Sequence, residues 1–349
     1  MRRVTTLATA LLAGALVLTS CGGDGDDDAT TTPKGDDTSS AAAEIKVGMA
    51  YDIGGRGDQS FNDAAALGLD KAKAELGVET QEAEAKAGEP ESAKEERLRI
   101  LAEQGYDPVL AIGFAYAAAL STVAAEFPDT TFGIVDDGTE GDNITNLLFA
   151  EEQGSFLVGA AAGLKTQTGT VGFIGGCTVD LIKKFEAGFK AGVEAAKPGT
   201  EILSKYLSDP PGCEAFTTTD TGKTAGEGMY DQGADIVYHA AGASGIGLFE
   251  AAAAADKLAI GVDQDQYNSA DPAVKDVIMT SMLKRVDVAV FEFLNSVVDG
   301  TVKPGPVIFD LEADGVGYAT SGGQVDDIQD QLEDYKQQII DGEITVPTK

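Results

Sequence analysis

"ADIVYHAAGASGIGLFEAAAAADKLAIGVD", residues 234–263, holds one complete structural unit. "ADIVYHAA" (234–241) is an apolar run of strand length that ends on small residues and glycine. A helix-forming stretch follows over 246–256, and "LAIGVD" (258–263) is a second apolar strand. Two short buried strands separated by one helix read as a βαβ unit, which places the strands side by side and parallel.

The same rhythm runs through most of the chain. "IKVGMAY" (45–51) is a strand and "SFNDAAALGLDKAKAEL" (60–76) a helix, with Ser60 or Asn62 as its cap. "VETQEAEA" (78–85) reads as an exposed strand, and 90–105 as an amphipathic helix stopped by Gly105. "PVLAIG" (108–113), a helix over 114–127 and "TTFGIVD" (130–136) continue the series. It resumes with "GTVGFIGG" (169–176), helix 178–196, "TEILSKYL" (200–207) and helix 221–232. The two runs, 45–149 and 169–263, predict two Rossmann-like lobes with a cleft between them. In such sheets ligands bind at the carboxyl ends of the strands, so the residues just past each strand carry the most weight.

The N-terminus follows another logic. "MRRVTTLATALLAGALVLTSC" (1–21) has a basic start and an apolar stretch from Leu7 to Leu18, too short to span a membrane. Residues 1–20 therefore read as a lipoprotein signal peptide, and Leu18-Thr19-Ser20-Cys21 as a lipobox whose Cys21 takes the lipid. Residues 22–43, "GGDGDDDATTTPKGDDTSSAAA", lack large apolar side chains, so 21–43 is expected to be a flexible tether. No later stretch is apolar for 18 residues. The formal net charge of −33 disfavours nucleic acid and anionic lipid headgroups as partners. Cys177 and Cys213 remain, either as a disulfide or as two buried thiols.

Catalytic and nucleotide-loop motifs fail on inspection. Gly55-Arg56-Gly57 begins a dinucleotide loop, but Ser60 stands where the third glycine is needed. "TGKT" (221–224) lacks the upstream glycine of a phosphate loop, with Thr217 in its place. Ile246 ends what would be a nucleophile elbow over 242–246. His239 is the sole histidine and sits in an apolar strand, which removes most support for zinc hydrolysis or a Ser-His-Asp triad. "DQDQYN" (263–268) lacks the Gly and Glu of a calcium loop. Neither a metal nor a cofactor is implied.

What survives is a set of polar and aromatic residues without a nucleophile–base pair: Asp52, Phe61, Asn62, Phe114, Asp136, Phe185, Gly242–Gly245 and Asp263. Rings supply stacking faces, and carboxylates accept from hydroxyls or amino groups. Singly, each has a structural reading as a core ring or a helix cap. Together they describe a binding cleft rather than an active site.

These residues lie in longer motifs. They are "D-x5-D-x-S-F-N" (Asp52, Asp58, Ser60, Phe61, Asn62), "AIGF" (111–114), "FPDTTFGIVD" (127–136), "FAEEQGSFLVG" (149–159) and "VGFIGG" (171–176). Further on come "KFEAGFKAGV" (184–193), "YDQGADIVYHAAGASGIGLFEAA" (230–252), "GVDQDQ" (261–266) and "TSMLKRVDVAV" (280–290). From about residue 45 to 320 the chain resembles the basic membrane protein lipoproteins, the purine-nucleoside-receptor-like substrate-binding proteins of ABC transporters. The resemblance implies a type I periplasmic-binding fold, α/β, with two lobes joined by three crossovers. It implies lobe 1 over 44–150 plus about 285–308, lobe 2 over 151–284 plus about 309–349, and hinges near Glu151, Lys284 and Phe309. It also implies a monomer, lipid-anchored on the extracytoplasmic face of a bacterial cell membrane, that delivers a nucleoside to ABC permease and ATPase subunits. Carried over by motif, Phe61 and Phe185 sandwich the base, Asp136 bonds it and Asn62 lies near it. Asp263 and the Gly242–Gly245 turn take ribose hydroxyls, Lys284 donates beside Asp263 and pairs its charge, and Asp52 supports the first loop. Two features depart from the family pattern: Cys177 just after Gly175-Gly176, and the loop "SDPPGCEAFTTTD" (208–220) with Cys213.

Other readings stay open at this level. The same fold takes other small ligands, such as a sugar or an autoinducer. Arg56-Gly57-Asp58 is the tripeptide of a surface adhesin or antigen.

Overall fold

The computed structural model describes residues 45–349; the expected signal peptide, Cys21 and tether lie outside the described residues. The first run of elements is β1 (Lys46–Tyr51), α1 (Phe61–Leu76), β2 (Glu79–Glu84), α2 (Glu91–Glu103), β3 (Val109–Ile112), α3 (Ala117–Glu126), β4 (Phe132–Val135) and β5 (Ile144–Phe149). The second is α4 (Glu151–Lys165), β6 (Thr170–Gly175), α5 (Asp180–Ala196), β7 (Glu201–Tyr206), α6 (Thr219–Asp231), β8 (Ile236–Ala240), α7 (Gly245–Ala255), β9 (Leu258–Asp263), the short α8 (Gln266–Ser269) and β10 (Ile278–Lys284). Then come α9 (Val286–Val298), β11 (Gly305–Phe309), β12 (Val316–Tyr318) and α10 (Gln329–Ile340).

Two six-stranded sheets result, in the orders β11-β5-β4-β3-β1-β2 and β12-β10-β9-β8-β6-β7. Every pairing is parallel except β10 with β12. The quoted unit forms as read: β8 and β9 pair directly, Ile236 with Leu258, and α7 crosses between them. The chain passes from one sheet to the other three times, after β5, after β10 and after β11. This is a type I periplasmic-binding arrangement. The three crossing strands lie against one another: Ala150 N–H donates to Phe309 O (3.1 Å), and Arg285 N–H to Gly315 O (2.9 Å).

The strand–helix rhythm did not mark β5, α4, β10 or anything after 284. β5 carries buried Thr145 and Asn146, whose side chains bond loop carbonyls rather than standing in water. α4 is rich in glycine because it lies almost in contact with α5. A β-carbon at Gly159 of α4 would overlap the Phe189 carbonyl, and β-carbons at Gly188 and Gly192 of α5 would overlap the Glu152 and Phe156 carbonyls of α4. Gly192→Ala is therefore expected to cost about 1–3 kcal/mol of stability through overpacking. Urea unfolding measures it, and an unchanged midpoint would show that the helices part without strain.

The α1 cap differs from expectation. Neither Ser60 nor Asn62 caps with its side chain. Asp58 does so: its Oδ1 accepts from Ser60 N–H (2.9 Å) and Asp63 N–H (3.0 Å), and its Oδ2 from Asn62 N–H (2.8 Å). A carboxylate two residues upstream meets three free donors of the first turn where a serine would meet one. Asp58 is consequently buried, and Arg56 is held by Glu82 and Asp70. The Arg-Gly-Asp tripeptide does not display its carboxylate. "TGKT" falls inside α6, not in a phosphate loop.

Candidate functional site

A pocket lies between the lobes at the carboxyl ends of both sheets. Its empty volume, including space open to solvent, is about 640 Å³. Asp52, Phe61, Asn62, Phe114, Asp136, Phe185, Gly242, Asp263 and Lys284 all line it. Nine of the ten residues expected at the site are thus brought together.

Gly245 is the exception. It starts α7 and does not line the pocket; a β-carbon there would overlap the His239 imidazole. The glycine gives clearance to a buried ring instead of room for a ligand. Gly242 does face the pocket, in the left-handed conformation (φ 54°), with the Phe216 carbonyl against it.

Lys284 also differs. It is not paired with Asp263; its Nζ lies 2.6 Å from Asp136 Oδ2 and 3.3 Å from Glu151 Oε1. The register explains this. Asp263 is aligned with Leu283 across β9 and β10, so Lys284 is one residue further and turns towards the crossovers. Its side chain is 2% exposed. Three rings surround the ammonium, with Phe149, Phe61 and Phe185 centred 5.0, 5.3 and 5.6 Å away. Asp263 accepts instead from Ser60 Oγ of the other lobe.

Asn62 lines the pocket, but the first loop uses its amide. Oδ1 accepts from Asp52 N–H (3.1 Å), and Nδ2 donates to Asp58 Oδ2 (3.0 Å) and Ile53 O (3.4 Å). The loop-supporting part expected of Asp52 falls largely to Asn62. Asp52 itself accepts from Ile53 N–H (2.7 Å) with one oxygen.

Asp136 and Asp263 occupy matching places, each at the end of its strand and each left-handed, with φ of 70° and 64°. That conformation is uncommon for a side chain with a β-carbon, and it turns both carboxylates into the cleft. Burial raises Asp136 to about 7 despite the attraction of Lys284, and Asp263 to about 6. Burial likewise raises Asp52 to about 6. Lys284 is held above its ordinary value by Asp136, Glu151 and Asp263, against the opposing effect of its own burial. Among the pocket-lining residues carboxylates outnumber the one cation, Lys284, and Lys184 reaches only Glu151 (3.2 Å). Asp136 Oδ1 is buried without a hydrogen-bond partner among the described residues. Such an acceptor calls for a donor on whatever enters.

Sequence reasoning missed Leu181, Ile182 and Phe216, which add apolar wall in lobe 2. Phe216 lies in the departing loop 208–220, so the available signal was the departure itself. Two amides also cross between the lobes: Gln264 Nε2 donates to Ser60 O (2.6 Å) and Gln266 Nε2 to Gln59 O (2.9 Å). His239 is buried in β8 and bonds Gln266 Oε1 (3.0 Å), which orients that amide. Cys177 and Cys213 form a disulfide, with Cα atoms 5.3 Å apart.

Residues 45–349 match the model of the PnrA-like ABC transporter substrate-binding proteins. The chain belongs to that family. This PnrA-like chain is 31% identical over 371 aligned positions to the ABC transporter nucleoside-binding protein BmpA of Lactococcus lactis, covering 100% of this chain and 99% of that one. It is 36% identical to a lipoprotein of Pyrococcus furiosus, over 79% of this chain and 70% of the other. Among solved structures, an ABC transporter solute-binding protein of Aeropyrum pernix is similar at 29% identity and a TM-score of 0.75, covering 87% and 94% of the two chains. PnrA-like proteins are binding subunits of transporters, not enzymes, and imply a permease and an ATPase as partners.

Proposed function

We propose that this chain captures a nucleoside, a purine nucleoside first of all, and delivers it to an ABC importer from a lipid anchor at Cys21 on the extracytoplasmic face of the cell membrane. The observation that carries the reading is the pairing of ring-lined walls with acceptor-only groups. Phe61 and Phe185 border the pocket from opposite lobes, and the carboxylates Asp52, Asp136 and Asp263 face it. A purine has two apolar faces and a polar edge, and a ribose offers vicinal hydroxyl donors. In this reading Asp136 Oδ1 takes a donor from the base, Asp263 takes ribose hydroxyls beside the Gly242 turn, and Phe114 closes the rim. The relative named for nucleoside binding supports the ligand class. The basic–apolar leader ending at Cys21 and the lipoprotein relative support the anchor. The lobes, 44–150 with 285–308 and 151–284 with 309–349, close as two bodies of a monomer by bending at the three crossovers.

The charge balance narrows the ligand further. A phosphorylated nucleoside would bring negative charge against several buried carboxylates and one lysine. Calorimetry on ligand-stripped full chain should show heat with inosine, adenosine or guanosine, and at least about 100-fold weaker binding of their 5′-monophosphates. Silence with every purine and pyrimidine nucleoside would remove the proposal.

A further inference from the structure

We infer that the Cys177–Cys213 disulfide is a positioning element of the binding site, which holds Phe216 in place as a pocket wall. The bond closes a 36-residue separation and joins two segments that both border the pocket. Cys177 begins the turn from β6 into α5, the helix that carries Leu181, Ile182 and Phe185. Cys213 immediately precedes the 3₁₀ turn Glu214–Phe216.

Phe216 depends on that turn. Its ring lies where a β-carbon of Gly176 would be, and its carbonyl lies 3.2 Å from the β-carbon position of Gly242. Two glycines thus leave a slot, and the residue beside the first of them is the disulfide-bonded Cys177. Thr217, the next residue, reaches the other lobe: its methyl is 3.4 Å from the β-carbon position of Gly54. The segment therefore meets both lobes at the mouth of the site.

Few other bonds fix it. Ser244 Oγ donates to Ala215 O (2.6 Å) and accepts from Thr218 N–H (2.8 Å). Thr178 N–H donates to Ser208 O (3.0 Å), and Ser208 Oγ to Gly176 O (2.6 Å). Among the described residues, no backbone bond to another element holds residues 209–213. A loop of this length without a cross-link samples many conformations, and a wall that must order on binding weakens the ligand by that ordering cost. The disulfide removes the cost beforehand. Its part is pre-organisation, not contact.

The inference takes the nucleoside reading only for its probe. The full chain is compared with C177S/C213S, F216A and the variant combining all three changes, first by amide hydrogen exchange without ligand. Exchange over 208–218 should rise about tenfold or more in C177S/C213S, with the sheets unchanged. Inosine should then bind about tenfold more weakly to C177S/C213S and to F216A, and the combined variant should be no weaker than F216A alone. A lower melting temperature with unchanged exchange over 208–218 would make the bond a general staple and overturn the inference. Losses that multiply in the combined variant would overturn it too, since the bond would then act elsewhere than on Phe216. If inosine binds none of the proteins, the nucleoside proposal falls, and exchange over 208–218 alone decides this one.

Discussion

Lys284→Met is expected to lower the stability of the ligand-free protein at pH 8 by about 1–3 kcal/mol, because it strands the buried carboxylate of Asp136, which must then take a proton. Lys284 is the cation shared by Asp136 at the end of β4 and Glu151 at the start of α4, and all three side chains are at most 5% exposed. Methionine replaces much of the aliphatic stem and keeps contact with the surrounding phenylalanines, so lost packing is a small part of the effect. The larger part is electrostatic, and the combined variant K284M/D136N isolates it. With Asp136 neutral, the carboxylate left without a cation is gone, since Glu151 keeps Lys184 at 3.2 Å, and most of the loss should return. Urea unfolding of the four proteins provides the cycle. A loss below about 1 kcal/mol for K284M alone would mean that water already screens the site and the cation is idle. The residue also stands where the chain recrosses from the second sheet to the first, next to the bond from Arg285 N–H to Gly315 O. Its loss should therefore reach lobe closure as well as stability.

The βαβ units were legible because each depends only on local apolar period and on turns. Strands 234–241 and 258–263 are apolar throughout and are bounded by small residues and glycine. β5 and α4 were not legible for the same reason inverted: Thr145 and the glycines of α4 are explained by distant partners that no window contains, and Asn146 by an irregular loop that carries no period. The site shows the same division. Residues placed by a strand end, such as Asp136 and Asp263, could be located from the end of an apolar run. Pairings across the lobes could not. The family motif sets Lys284 beside Asp263, yet a register offset of one residue sends it to Asp136 and Glu151. Gly245 follows Gly242 and Ala243, which line the pocket, and only the His239 ring shows why it is glycine. Phe216 belongs to a loop with no period at all.

Acidification is expected to move stability and affinity in opposite directions. Burial holds protons on Asp136 up to about 7 and on Asp263 and Asp52 up to about 6, whereas an unfolded chain releases them near pH 4. Between those limits the folded protein binds more protons than the unfolded one, so these three groups make stability fall as pH rises. His239 works the other way: burial lowers it to about 4, and an unfolded imidazole gains its proton near 6.5, so its contribution is lost as pH falls through that window. Above about 6.5 the Asp136 contribution stands largely alone, and the melting temperature of the ligand-free protein should rise from pH 8 to pH 6.5. A ligand that donates to an ionised Asp136 meets the reverse. Each proton that Asp136 takes must leave before the bond forms, so inosine should bind about tenfold more weakly at pH 6 than at pH 8. Asp136→Asn should flatten both profiles. Thermal scans and calorimetry across that range supply the two curves. Should affinity rise on acidification while Asp136→Asn still flattens it, the ligand would be accepting a proton-bearing carboxyl rather than donating to a carboxylate. The base edge it presents to Asp136 would then be an acceptor.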